Sequence, residues 1–390
     1  MVHLSYTPRH LIRAPFLRGG RNADVASRNE RHLLSEIHRK PGLARAELIS
    51  HLDLTQQSVH RLVETLAERG LLRIGDPVPP KGRGQPSPAV FLNPDYAYTL
   101  GISVNTDKAG VCLMDFAGGH DTLTVDIEGL NRETALDRIE EAVAKLITSS
   151  GRSEDKLFGV GFAIAGYHVT GTQYNAPLPL QDWSLIELGP LLSGRFKAPV
   201  WLENGANAAA ICENLMGVGR HISDFAYLSF NYGFGGGVVV NGKLMRGAHG
   251  NAGEFSGMFD DENNYKRPAL ELLIRRLNEN GVSITSVDRL KREFNPDWPG
   301  VAEWIEEVVP NYNLMMNAIC AIVDPQAIVF GGEIPRALAE AFIARTQWFS
   351  RPRYGVPRVV AKPIISEIER DASAIGAAAL PFTSEFFRGS

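Results

Sequence analysis

The sequence predicts a two-part α/β protein: a small winged helix-turn-helix in front of a larger, duplicated body whose two lobes enclose a cleft. Three observations predict it. Residues 29–66 hold three short amphipathic helical patterns, followed by two short apolar runs around a Pro/Gly loop. Beyond Asn93-Pro94, apolar strand runs alternate with helical patterns, as they do in α/β proteins. The body also opens twice in the same way, with paired strands at Tyr98 and again at Ala226, which indicates internal duplication. Clefts between lobes are where small ligands usually bind.

The first helix begins near Asn29, buries Leu33, Leu34 and Ile37, and stops at Pro41-Gly42. A second runs through Ala46, Leu48, Ile49 and Leu52. Thr55 suits the N-cap of a third, whose apolar face is Val59, Leu62, Val63 and Leu66 at spacings i, i+3, i+4 and i+7. Its other face offers Gln56, Gln57, Ser58, His60 and Arg61. Gly70 closes that helix. Strands at Leu71–Ile74 and Ala89–Leu92 then flank a loop with Lys81 and Arg83, forming a wing that suits a phosphate backbone or a minor groove. Gln57, Ser58 and Arg61 are the candidate base readers, because Gln pairs with adenine and Arg with guanine. Gln56 belongs to the same face, and His60 fits a phosphate equally well. A helical dimerisation or protein-docking module is the competing reading.

Charge supports a nucleic-acid partner for the front alone. Residues 1–93 hold 14 Lys and Arg against 8 Asp and Glu, net +6, while the remaining 26 and 36 give −10. At 390 residues with 44% hydrophobic content, the chain has room for two or three cores. Cys112, Cys212 and Cys320 are widely separated with no CxxC pair, which argues for reduced, buried thiols and against a disulfide scaffold. No signal peptide and no membrane span is expected, hence a cytoplasmic protein.

In the body, Tyr98–Val104 and Gly110–Asp115 read as paired strands, Arg132–Ser149 as an amphipathic helix and Leu157–Ile164 as a buried strand. Ala226–Phe230 and Gly236–Val240 repeat the opening pair, and Asn241-Gly242 is a hairpin signal. Between them, Asn231-Tyr232-Gly233-Phe234-Gly235-Gly236-Gly237 reads as a glycine-rich turn, either a phosphate cradle or only a tight turn. The stretch Trp201-Leu202-Glu203-Asn204-Gly205-Ala206-Asn207 reads as a strand turning into an alanine-rich helix.

These pieces resemble the ROK family of sugar kinases and sugar-responsive repressors, in the version with a winged helix in front. The resemblance rests on Leu92-Asn93-Pro94 before Leu100-Gly101-Ile102, on Leu202-Glu203-Asn204 with Asn207-Ala208-Ala209-Ala210, and on Gly233–Gly237 with Val240–Leu244. Gly247-Ala248-His249-Gly250-Asn251-Ala252-Gly253-Glu254 and Asp324–Gly332 complete it, over about residue 28 to the C-terminus. It implies an actin-like (RNase H-like) duplicated fold. The expected division is a basic extension at 1–27, the winged helix at 28–94 and a ROK domain at 95–390. Its first lobe would hold about 95–205 plus a final helix at 368–390, and its second about 206–367.

The departures bear on chemistry. The family's kinases carry an Asp general base where this chain has Gly205, and losing a positioned base costs about 10²- to 10⁴-fold. Glu203 is a poor substitute, because neighbouring strand side chains point to opposite faces. The first phosphate turn is Ser103-Val104-Asn105-Thr106-Asp107, and the second has Asn231-Tyr232 in place of Gly-Thr. The family's zinc-element histidine is replaced by Gly257, and no cysteine cluster follows. Neither a working ATP site nor a zinc is therefore expected, and no catalytic or metal-binding residue. What remains of the family's sugar site is Asn175, Asn204 and Glu254, joined by Gly205 and by His249. Turn capping competes for Asn175 and a surface-loop role for His249. The expected protein is a sugar-responsive regulator, a repressor by default, that binds operator DNA as a homodimer or homotetramer. The alternatives are a sugar kinase or bifunctional kinase-regulator, and a regulator answering to a protein partner.

Overall fold

The computed structural model describes residues 25–79, 85–349 and 352–387. Its front module is α1 (Arg28–Arg39), β1 (Leu43–Ala44), α2 (Arg45–His51), α3 (Gln56–Glu68), β2 (Leu72–Val78) and β3 (Ser87–Leu92), with a sheet ordered β1-β3-β2. Local chemistry sets each boundary. Ser27 starts α1 through a reciprocal capping box with Glu30. Thr55 starts α3 by accepting the Ser58 N–H. Gly70, at φ +79°, ends α3: its N–H meets Ala67 O and the Leu71 N–H meets Leu66 O, the paired bonds of a Schellman turn. Leu33, Leu34, Ile37, Leu48, Val59, Val63 and Val90 form the module's core. Ala26 is buried with them, so the module reaches ahead of residue 28.

The first lobe comprises β4 (Tyr98–Val104), β5 (Lys108–Asp115), β6 (His120–Asp126), α4 (Arg132–Ser150), β7 (Leu157–Ile164), β8 (Tyr167–Thr170), β9 (Gln173–Asn175), α5 (Leu188–Phe196) and β10 (Val200–Asn204), and α6 (Gly205–Met216) follows between the lobes. Its main sheet is ordered β10-β7-β4-β5-β6. The second comprises β11 (Phe225–Phe230), β12 (Phe234–Val240), β13 (Lys243–Leu244), α7 (Asp261–Asn264), α8 (Leu270–Glu279), α9 (Val287–Glu293), α10 (Val301–Ile322), β14 (Ala327–Gly332), α11 (Arg336–Ala344) and β15 (Lys362–Ile365), with sheet order β13-β12-β11-β14-β15. In both sheets the leading strand pairs antiparallel with the next and parallel with the fourth, so the duplication is one of topology and not only of composition. The edge strand β6 has no continuous apolar run and escaped the sequence reading. Its sequence HDTLTVD alternates polar residues because one face is solvated.

The final helix, α12 (Ala372–Glu385), returns to the first lobe. Glycines permit its approach: a Cβ on Gly101 would stand 2.1 Å from Ala374 O, one on Gly161 1.8 Å from Ala377 O, and one on Gly376 1.7 Å from Ala208 O. With α6 it forms an alanine-rich layer between the two sheets, where Cys112 and Cys212 are buried free thiols. Its far end enters the front module. Phe382, Phe386 and Phe387 join the core formed by Leu33, Val63 and Leu72, together with Phe116 and Phe158 of the first lobe. Arg31 also donates to Ser384 O at 2.7 Å.

One sequence expectation is corrected here. The glycine-rich segment is a turn only at Asn231–Gly233, because Phe234–Gly237 belong to β12 and pair with Phe230–Tyr227 of β11. Gly236 and Gly237 are small because of what packs on them. A Cβ on Gly236 would meet the Phe255 ring at 2.4 Å, and one on Gly237 would meet Ala210 Cβ at 2.7 Å. They serve close packing of β12 on Phe255 and α6.

Candidate functional site

Two candidate sites stand at opposite ends of this framework. On α3, Gln56, Gln57 and Arg61 are exposed, while Ser58 and His60 are half-buried. The Ser58 hydroxyl shares a 2.9 Å hydrogen bond with Thr55 Oγ1, so it belongs to the helix cap as well as to the exposed face. Lys81 and Arg83 lie outside the described residues.

The second site is the cleft. Asn204 ends β10 and caps α6, its Oδ1 accepting from Ala206 N at 2.7 Å and Asn207 N at 3.1 Å. Those bonds aim its amide nitrogen outward, where it donates to Gly166 O at 2.6 Å and to Glu254 Oε1 at 3.1 Å. Asn204 of the first lobe and Glu254 of the second thus meet across the cleft. Burial pushes the Glu254 carboxyl up to about 6. An ionised carboxylate is an acceptor only, whereas the protonated acid also donates, so both forms are available to it near neutral pH.

Gly205 is the first residue of α6, and a Cβ built on it finds Ile164 O no closer than 3.6 Å. Space for a side chain therefore exists, and the absence of one is a matter of sequence. Around a Cβ on Gly257 nothing lies within 4 Å. Glu203 is committed elsewhere: Oε1 accepts from Asn207 Nδ2 at 3.1 Å and Oε2 pairs with Arg246 Nε at 2.9 Å.

Asn175 ends β9 and is held by its neighbours, donating to Tyr167 Oη at 2.5 Å and accepting from Ser184 Oγ at 3.3 Å. Its main-chain oxygen abuts Gly166, which in turn contacts Asn204. His249 has an exposed side chain, and what it contributes to the cleft is its carbonyl, the acceptor for His168 Nδ1 at 3.0 Å. Sequence reasoning missed Asn251, which accepts from His168 N and donates to His168 O, both at 2.8 Å, thereby fastening the second-lobe loop to β8. Its only signal was its place in the 247–254 motif.

At the other end of the cleft, Asn105, Asn231, Gly331, Gly332, Glu333 and Lys291 line a cavity of about 660 Å³. Ser103 donates to Asp371, which caps α12, and Asp107 Oδ2 accepts from Asp288 N at 2.8 Å. Both ends of the first phosphate turn thus face protein groups of their own.

A helix-turn-helix face on one end of a shared core and a cleft of sugar-kinase form on the other define a ligand-sensing, DNA-reading class of protein. The comparisons agree. Residues 99–264 match the ROK family and residues 27–84 the MarR family, so the chain carries a ROK family domain behind a MarR-type winged helix. It is 26% identical to an uncharacterized protein of Sinorhizobium fredii over 93% of both chains. It is 31% identical to the xylose repressor of Bacillus spizizenii over 61% of this chain and 62% of that one. Among solved structures, a ROK family transcriptional regulator homologous to the Escherichia coli MLC protein superposes with TM-score 0.64 at 16% identity, covering 90% of this chain and 95% of that one. A ROK family glucokinase from Streptomyces griseus, in complex with glucose and AMPPNP, gives 0.56 at 21%, covering 73% and 99%. Those two likenesses are of fold.

Proposed function

We propose that the protein is a sugar-responsive transcriptional repressor: α3 reads an operator, and a sugar or sugar derivative bound at Asn204, Glu254 and Asn175 shifts the lobe arrangement and with it the pose of α3. The observation that carries this reading is α12. Its N-terminus is tied to the cleft, where Asp371 accepts from Ser103 and Ser373 Oγ donates to Gly205 O at 2.9 Å. Its C-terminal phenylalanines are part of the winged-helix core. A rigid helix spanning both sites gives the ligand a route to differential affinity, which allostery requires. The alignments to xylose repressors favour a pentose among candidate effectors.

In this reading the body does not transfer phosphate. Gly205 provides no base, and Tyr232 stands where a phosphate donor would be needed. No zinc and no ATP take part, and the working unit is a homodimer or homotetramer in the cytoplasm. No helix among the described residues is long and apolar enough to cross a membrane. The test is a thermal-shift screen against pentoses, hexoses, amino sugars and sugar phosphates, with and without Mg-ATP, followed by operator selection from randomised DNA. A ligand at 100 times its dissociation constant adds about 2.7 kcal/mol. A sugar shift without an ATP effect, with release of the selected DNA, is the expected result. Phosphoryl transfer from Mg-ATP to any sugar, above a Glu254→Ala control, would return the kinase reading to the lead.

A further inference from the structure

The two lobes are also joined where no sugar would bind. Lys108 opens β5 in the first lobe, and its ammonium lies 2.9 Å from Glu333 Oε2 and 3.5 Å from Asp288 Oδ1, both in the second. Lys291 approaches the same Glu333 oxygen at 3.1 Å. This group is enclosed: the Lys108 and Glu333 side chains are 14% and 10% exposed. Glu333 directly follows Gly331-Gly332 at the end of β14, its N–H fixed to Phe230 O at 2.7 Å. Burial alone would raise its carboxyl, but the two ammonium groups outweigh burial and hold it below the ordinary glutamate range. The 660 Å³ cavity lined by Asn105, Asn231 and Gly331 includes Glu333 and Lys291. An anion is therefore already present between the two phosphate-turn positions, and it is part of the chain.

We propose that Glu333, gripped by Lys108 from one lobe and Lys291 from the other side, is a built-in inter-lobe tie that takes the place of a nucleotide phosphate and keeps this end of the cleft closed without any cofactor. Lobe movement then hinges about this end and is governed by the sugar end alone. The proposal deepens the reading of a body without a nucleotide. Lys291 and Glu333 share a lobe, so of the two lysines only Lys108 links the lobes, beside the Asp288 N–H to Asp107 Oδ2 bond that every variant below leaves in place. That asymmetry makes the idea testable.

The experiment is hydrogen exchange and small-angle scattering on the full chain, comparing wild type with Lys108→Met, Glu333→Gln and Lys291→Met. Lys108→Met and Glu333→Gln are expected to speed exchange at least tenfold in both the 104–108 turn and α9, and to increase the radius of gyration. Lys291→Met should speed exchange only in α9 and leave the radius unchanged. Unchanged exchange on the first-lobe side in both Lys108→Met and Glu333→Gln overturns the tie. So does a Lys291→Met response equal to theirs, which would mean general loosening of the second lobe. If Lys108→Met does not fold, the nearly isosteric Glu333→Gln decides alone against Lys291→Met. A separate arm adds Mg-ATP to wild type: protection of 104–108 and 231–233 would sink the nucleotide-free reading, whereas the tie stands or falls on the variants.

Discussion

Phe386→Ala should uncouple the winged helix from the body. Phe386 is fully buried, with ring centroids 5.0 Å from Phe116, 5.1 Å from Phe158, 5.8 Å from Tyr96 and 6.1 Å from Phe382. Truncating such a side chain typically costs about 3–5 kcal/mol, through lost transfer energy and the cavity left behind. Domains are stable by only about 5–15 kcal/mol, so the loss is a large share. It falls on a core to which the front module, the first lobe and α12 all contribute. Calorimetry of the full chain should resolve a new, earlier transition for the front module. Titration of selected operator DNA should show binding that no longer responds to the sugar that releases wild type. A variant that melts in one transition, within about 1 kcal/mol of wild type, and still responds to sugar would refute the coupling through α12.

Glu254, with its carboxyl raised by burial from the ordinary 4.5 to about 6, keeps a proton that the unfolded chain has already lost, so its effect on stability is most favourable below 4.5 and declines as pH rises through 6. The loss amounts to at most about 2 kcal/mol, and Glu254→Gln should flatten that part of a stability–pH profile measured by denaturant unfolding. His38, packed on Phe387 at 5.0 Å, is lowered to about 4, chiefly by burial and then by Arg220 and Arg39. Its contribution is complete above 6.5 and disappears as pH falls toward 4, about 3 kcal/mol at most, so His38→Asn should remove an acid-side slope in the front module's melting. Gly205→Asp should fit, and should raise stability by about 0.3–1 kcal/mol through the α6 dipole. A coupled kinase assay should nevertheless show no phosphoryl transfer, because the nucleotide end is unchanged. Gln57→Ala and Arg61→Ala should each weaken selected-operator binding by about 1–3 kcal/mol, with relaxed preference at one base position, measured by competition against randomised sites.

Much of the fold was legible because its signals are local. Thr55 as an N-cap, Gly70 as a stop, and Asn241-Gly242 as a hairpin turn with both residues at positive φ each depend on a few neighbouring residues. The cleft was legible only in part. Asn204 and Glu254, singled out from the sequence, lie 3.1 Å apart, but the amide that fastens the loop to β8, Asn251, was not singled out. Gly236 and Gly237 were read both as turn and as the start of a strand, because spacing alone does not distinguish a bend from a strand packed tightly against Phe255 and Ala210.

By itself the sequence determined the class: a basic winged helix ahead of a duplicated α/β body. Periodicity, caps and charge balance are written in neighbouring residues, so no third dimension was needed to see them. Only the tertiary structure decided how the parts act on one another. Lys108 and Glu333 are more than two hundred residues apart in the chain, and Arg31 and Ser384, where the winged helix meets the end of α12, are 353 apart. Contacts between such distant positions leave no pattern in a single sequence, because what pairs them is the packing of glycine and alanine faces that brings the two sheets together around α6 and α12.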